Sequence, residues 1–162
     1  MEPIRYVDRL DAFYKSQGFP SYDWTRNEDA PLTPLGKPLA QCRVSMLTAG
    51  GVSRCAAEPW NPNARNDLRL DEITNAAPSG DFQIHDAYYD HSDADRDLNC
   101  LFPIDRLREL AAEGVVGEVA PRFWSGFMGR IYKRSAVIGE AAPALAKELE
   151  KDHVDLFVLV PA

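Results

Sequence analysis

Apolar positions recur along this chain with two different periods, and the alternation between them predicts its elements. From Pro3 to Gln17, Ile4, Val7, Leu10, Phe13 and Tyr14 fall three and four apart, the spacing of an amphipathic helix that Gly18 would stop. Residues 19–40 hold Pro20, Pro31, Pro34 and Pro38, too many missing amide donors for a central strand. They predict an extended arm that Phe19, Tyr22 and Trp24 pack down. Arg43–Thr48 is a short strand running into Ala49-Gly50-Gly51, where two glycines permit a sharp turn with exposed amides. Residues 53–80 carry little periodicity and predict a long connection, with a short strand near Leu68 to Leu70. Asp81–His85 predicts another strand.

Pro103 opens the clearest helix, with Ile104, Leu107, Leu110 and Ala111 on one face and Gly114 as its cap. The stretch from Val115 to Ile138 is mixed. A last helix is predicted to start near Glu140, with Pro143 in its first turn and Leu145, Ala146 and Leu149 on one face. Val154–Val160 is almost wholly apolar, the pattern of a strand buried on both faces of a parallel sheet. The expected fold is α/β, a mainly parallel sheet flanked by helices, cut short at the C-terminal end of its last strand. An N-terminal helix and arm (residues 1–41) precede that domain (residues 42–162). In such folds chemistry gathers at the carboxyl ends of strands, and that is where the chain stops, at Pro161-Ala162.

Composition narrows the function classes. The chain has 162 residues, 45% of them hydrophobic, and a formal net charge of −7. That core fraction excludes wholesale disorder, and the acidic balance argues against a nucleic-acid partner. No secretory signal stands at the N-terminus, and the longest apolar run, LFVLVPA, is far short of a membrane span. A cytoplasmic protein with no membrane partner is expected. Cys42, Cys55 and Cys100 show neither zinc nor disulfide spacing, and each is expected to be an apolar filler.

The densest chemistry is HDAYYDHSDADRDLN, which places His85, Asp86, Asp90, His91, Asp93, Asp95 and Asp97 within fifteen residues. The run imitates a calcium loop but has Leu98 where glycine belongs and Ile104 where a bidentate Glu belongs. Three readings stay open: a transition-metal site on His85, His91 and a carboxylate, a solvated acidic loop capping the next helix, and a pocket in which His85 and a carboxylate orient a small polar ligand. No metal is expected.

The order of segments VSMLTAGG, HDAYYDHSDADRDLN, FPIDRLREL, APRFWSGFMG, APALAKELE and VDLFVLVP resembles the B component of glycine, sarcosine and betaine reductases, with D-proline reductase as a relative. The resemblance covers residues 42–162. It implies an oxidoreductase subunit that reductively cleaves a C–N bond of a small amine or amino acid. It further implies a selenocysteine, or a cysteine in its place, immediately after Ala162, a pyruvoyl group on a partner subunit, and a thioredoxin-like reductant. Selenol ionises more readily than thiol, and a following helix N-terminus would favour the anion. A UGA codon read as a stop would account for the end at Ala162. The 162 residues alone would then be inactive, with no catalytic residue in the chain and self-association expected. By position the resemblance implies substrate contacts from His85, Tyr88, Asp90, Asp97 and Asn99, beside Gly50, Gly51, Ser125 and Gly129. The alternative is a module of the same fold that binds a small molecule or assembles with a subunit without a redox centre.

Overall fold

The computed structural model describes residues 3–21, 28–29 and 31–162; Tyr22 and Trp24 lie outside the described residues. The chain divides into two compact units, Met1–Pro34 and Leu35–Ala162. The first holds α1 (Tyr6–Ser16), which starts later than the apolar spacing predicts. Lys15 pairs with Asp11 one turn back at 2.6 Å. At the helix end Gly18 takes a φ of +84°, and the Gly18 and Phe19 amides cap the carbonyls of Lys15 and Tyr14. Tyr14 meets both Phe13 and Phe19 edge to face.

The second unit is built on β1 (Arg43–Thr48). Two strands of a small antiparallel ribbon follow, β2 (Val52–Arg54) and β4 (Phe82–Ile84), with β3 (Leu70–Thr74) between them in sequence. A short helix α2 (Ser92–Arg96) and a 3-10 turn at Leu98–Cys100 lead to α3 (Ile104–Ala112). Then come β5 (Glu118–Val119) and β6 (Arg122–Gly126). A single helical stretch follows: α4 (Arg134–Ala136), a π-helical segment Val137–Ala141, and α5 (Ala142–Lys151). The last strand is β7 (Leu156–Val160).

β1 is the axis of the main sheet. Along one side it pairs in parallel with β7, from Val44↔Leu156 to Thr48↔Val160. Its other side is shared by β5 at Arg43 and Val44 and by β6 at Leu47 and Thr48, both parallel. β3 then closes the sheet antiparallel to β6. Helices cover both faces, as expected for an α/β domain. On one face Val44, Met46 and Phe123 pack with Phe102, Ile104 and Leu107 of the α3 region. On the other, Leu47 and Trp124 pack with Leu145 of α5. Arg122 fastens the rim: it donates to Asp152, Glu148 and Glu72 while lying 5.0 Å from the Trp124 ring. These carboxylates hold its pKa above the ordinary arginine value, Asp152 most of all.

Four expectations need correction. The 53–80 stretch is not a bare connection, since it contributes most of β2 and all of β3, with β3 centred further on than Leu68 to Leu70. The last helical stretch begins at Arg134, six residues before Glu140; a π-helical segment carries it through Gly139. β7 is not buried on both faces: among the described residues it pairs only with β1, and Leu159 is 65% exposed. Cys42 is buried as a filler should be, but Cys55 and Cys100 are exposed.

Candidate functional site at the carboxyl end of the sheet

In a parallel sheet the ends of neighbouring strands open a crevice between their loops. Here β1 leaves the sheet through Ala49-Gly50-Gly51, and the side chain of Thr48 shapes that exit. Its hydroxyl donates to the Leu101 carbonyl at 3.0 Å and accepts from the Gly50 amide at 3.2 Å. The Ala49 amide donates to the Val160 carbonyl at 3.1 Å, which ties the end of β7 to the same turn. Gly51 takes a φ of +67° and receives the His85 amide at 3.0 Å, extending the β2–β4 ladder by one pair. A Cβ at Gly51 would lie 2.6 Å from the His85 carbonyl oxygen and 3.0 Å from the Met128 sulfur. Only glycine lets three segments meet there.

Gly50, Gly51, His85, Tyr88 and Gly129 are thus brought together, with Tyr88 3.8 Å from where a Gly129 Cβ would stand. Ser125 is fully buried at the end of β6, in register with Thr48. Two buried polar atoms here, Nδ1 of His85 and Oγ of Ser125, have no hydrogen-bond partner among the described residues. Buried polar atoms without a partner are rare in folded proteins.

Asp90, Asp97 and Asn99 hold their own backbone. Asp90 accepts from the Ser92 amide at 3.0 Å, and that bond keeps its carboxyl below the usual range. Asp97 accepts from the Asn99 side chain and amide, with the same consequence. Asn99 in turn accepts from the Asp105 amide at 3.0 Å and from that of Arg106 at 3.4 Å, capping α3 from outside the helix. Burial raises the Asp105 carboxyl, but hydrogen bonds from Ser79, Asn99 and Arg108 outweigh it and hold the group low. His91 pairs with Asp95 at 2.9 Å and Asp93 with Arg96 at 3.0 Å. Among the described residues no three His, Cys, Asp or Glu side chains converge on a metal position.

Sequence reasoning missed Tyr89 and, in the loop after β6 where it named Gly129, the positive-φ residues Phe127 and Arg130. The Tyr89 hydroxyl donates to the Gly50 carbonyl at 2.8 Å, anchoring the acidic segment to the turn. Burial, with Asp86 and Asp95 nearby, pushes its pKa up to about 12. An unfolded tyrosine ionises near 10, so between pH ~10 and ~12 the unfolded chain sheds a proton that the folded one keeps, and stability falls through that window. Tyr89→Phe is expected to cost about 1 kcal/mol at neutral pH and to flatten this alkaline limb. Urea melts at pH 8 and pH 11 check both; equal alkaline losses in the two proteins would remove Tyr89 from the anchor.

An apolar groove of about 550 Å³ runs along the opposite face, lined by Leu145 and Leu149 of α5, Phe157 and Leu159 of β7, and Phe127. The loop after β6 carries two non-glycine residues at positive φ, Phe127 at 54° and Arg130 at 63°. Strain of this kind clusters where a loop is held for function. Among the described residues no helix is long and apolar enough to cross a membrane.

A mainly parallel α/β sheet thus carries a glycine turn, a buried histidine nitrogen and a strained loop at its carboxyl end. The chain belongs to the glycine/sarcosine/betaine reductase selenoprotein B family, whose pattern it matches over residues 21–162. It is 34% identical over 127 residues to the D-proline reductase subunit gamma of Acetoanaerobium sticklandii, covering 78% of this chain and 51% of that protein. It is 27% identical over 130 residues to the glycine reductase complex component B subunit gamma of Peptoclostridium acidaminophilum, covering 76% of this chain and 28% of the relative. The sarcosine reductase complex component B subunit beta of the same organism is 29% identical over 98 residues, covering 59% of this chain and 22% of the relative. The chain therefore spans about half the length of the first relative and less of the others. No solved structure matches it.

Proposed function

We propose that this chain forms the substrate-holding part of a reductase that breaks a C–N bond of a small amine or amino acid. The observation that carries the reading is the close meeting of the Gly51 turn with His85 and Met128, where the buried His85 Nδ1 has no hydrogen-bond partner among the described residues. A selenocysteine or cysteine following Ala162 would supply the nucleophile, a partner's pyruvoyl group would hold the amine, and a dithiol reductant would supply two electrons. The chain's own residues supply the binding surface. The His85 ring can donate to or accept from a polar ligand.

The donor set fits a nucleophile arriving at this place. Val160 is fastened to the Gly50-Gly51 turn through Ala49, so a residue following β7 would be delivered beside that turn. The second reading, a binding module without a redox centre, is favoured by one observation. The buried Cys42 precedes β1, at the sheet end remote from the Gly50-Gly51 turn, so it stands outside the crevice.

Two measurements test the proposal. Glycine, sarcosine, betaine and D-proline are titrated into the purified chain and followed by amide NMR. Saturable shifts at Gly50, Gly51 and His85 with one of them are expected, and no response to any overturns the reading. Reading the gene beyond codon 162 separates the two forms. An in-frame UGA followed by coding sequence supports the reductase, whereas UAA or UAG assigns the binding module.

A further inference from the structure

We infer that β7 is a self-pairing edge: two copies of this chain join antiparallel along their β7 strands, and their two sheets become one. The inference goes beyond the substrate-holding role and does not depend on it.

Among the described residues β7 pairs only with β1, so its other flank presents free amides and carbonyls. The Val160 carbonyl accepts the Ala49 amide, which fixes the residues concerned. Backbone groups alternate in direction along a strand. Leu156, Val158 and Val160 therefore turn theirs to β1, and Phe157 and Leu159 turn theirs outward. Open edges normally carry a charge, a proline or a bulge that deters pairing, or are very short. β3, at the far side of the sheet, has Asp71 and Glu72, and β5 is two residues long and includes Glu118. β7 reads LFVLV in unbroken register and has none of these devices within its span.

The register that this edge allows selects a second copy as its occupant. A twofold axis through Val158 sets each Phe157 opposite Leu159 of the other copy, and such a pair can exchange both of its amide–carbonyl bonds. An axis through Phe157 would need Asp155, whose amide already goes to the Arg43 carbonyl and whose carboxylate holds the Arg43 amide and Lys37. An axis through Leu159 would need Pro161, which has no amide to give. The charges agree as well, since the uncharged strand sets no like charges against each other. So do the side chains. Phe157 and Leu159 line the apolar groove beside α5, and Leu159 is largely exposed. Across the axis they form aromatic–aliphatic cross-strand pairs, and the two grooves merge into one seam.

Sedimentation velocity over a concentration series tests the pairing on the chain itself. The variants are Leu159→Pro, which removes an outward amide and leaves the β1 ladder intact, Leu159→Lys, and Phe13→Asp on the exposed face of α1. Thermal melts verify that each one folds. The parent is expected to dimerise reversibly at about 1–100 μM. Both Leu159 variants should raise the dissociation constant at least tenfold, and Phe13→Asp should change it less than twofold. A parent that stays monomeric, a dimer that both Leu159 variants leave intact, or a dimer lost only with Phe13→Asp overturns the inference. The register has its own test, made with the exposed Cys55 and Cys100 replaced by serine. The axis brings the two Val158 Cα atoms to about 4.5 Å, so Val158→Cys treated with diamide should yield a disulfide-linked dimer. Ile138→Cys, on a more exposed residue, should link at least tenfold more slowly. Equal rates overturn the axis at Val158.

Discussion

Replacing Phe102 with alanine is expected to lower stability by about 3–5 kcal/mol, the usual cost of emptying a fully buried aromatic position. Phe102 is wholly inaccessible to solvent. Its ring meets Phe82 of β4 at 5.8 Å and Phe123 of β6 at 5.9 Å, both edge to face. It therefore joins the β2–β4 ribbon to the main sheet, and the ribbon carries Gly51 and His85. For a domain of this size the melting temperature should fall by about 6–20 °C. Phe102→Leu keeps more of the volume and should lose clearly less. Ligand-induced shifts at Gly51 and His85 should weaken along with stability in the alanine variant. A drop under about 1 kcal/mol by urea denaturation would mean that the ribbon is held by something other than this ring.

Gly51→Ala carries the second large effect, for two separable reasons. The left-handed backbone alone costs an L-residue about 1–3 kcal/mol when the surroundings enforce it. The added methyl group would also stand 2.6 Å from a backbone oxygen of His85, which has no flexible way to retreat. Overpacking of that kind adds about 1–3 kcal/mol. Gly114 offers the control, since it has a φ of +72° with nothing within 4 Å of its would-be Cβ. Gly114→Ala should therefore show the backbone cost alone. Parallel thermal melts decide: if the two variants lose the same amount, His85 does not approach Gly51 as closely as described. The larger loss at Gly51 should come with displaced His85 and Met128 resonances.

α3 was legible because it repeats one period for long enough, β1 because its short apolar segment runs straight into a double glycine, and β7 because its apolar run is unbroken. The burial of β7 was not legible. An apolar run signals strand propensity, but whether a second strand covers its far edge is a matter of topology. β2 has three residues, too few for any period to show, and β6 hides its alternation because both of its faces are buried. The π-helical segment escaped for a different reason: Gly139 and the apolar Val137 and Ile138 break the 3.6-residue rhythm that the eye follows.

At the candidate site the double glycine and the acidic segment stood out by composition. Composition cannot say which carboxylates turn back onto their own amides, as those of Asp90 and Asp97 do. Nor does it distinguish Tyr88 from Tyr89, which are adjacent in sequence and employed differently in space.

The pairing of β1 with β7 also governs the order in which the domain can assemble. The Arg43 amide bonds Asp155 across 112 residues of chain, and the five strand pairs that follow span similar distances. At roughly 5–20 residues per second, a ribosome needs about 6–20 s to bring the partner of β1 into being. Throughout that interval the central strand of the sheet has one side unclaimed. Non-local parallel pairing of this kind is also slow once it becomes available. The nascent chain therefore carries its central strand incompletely paired until β7 emerges.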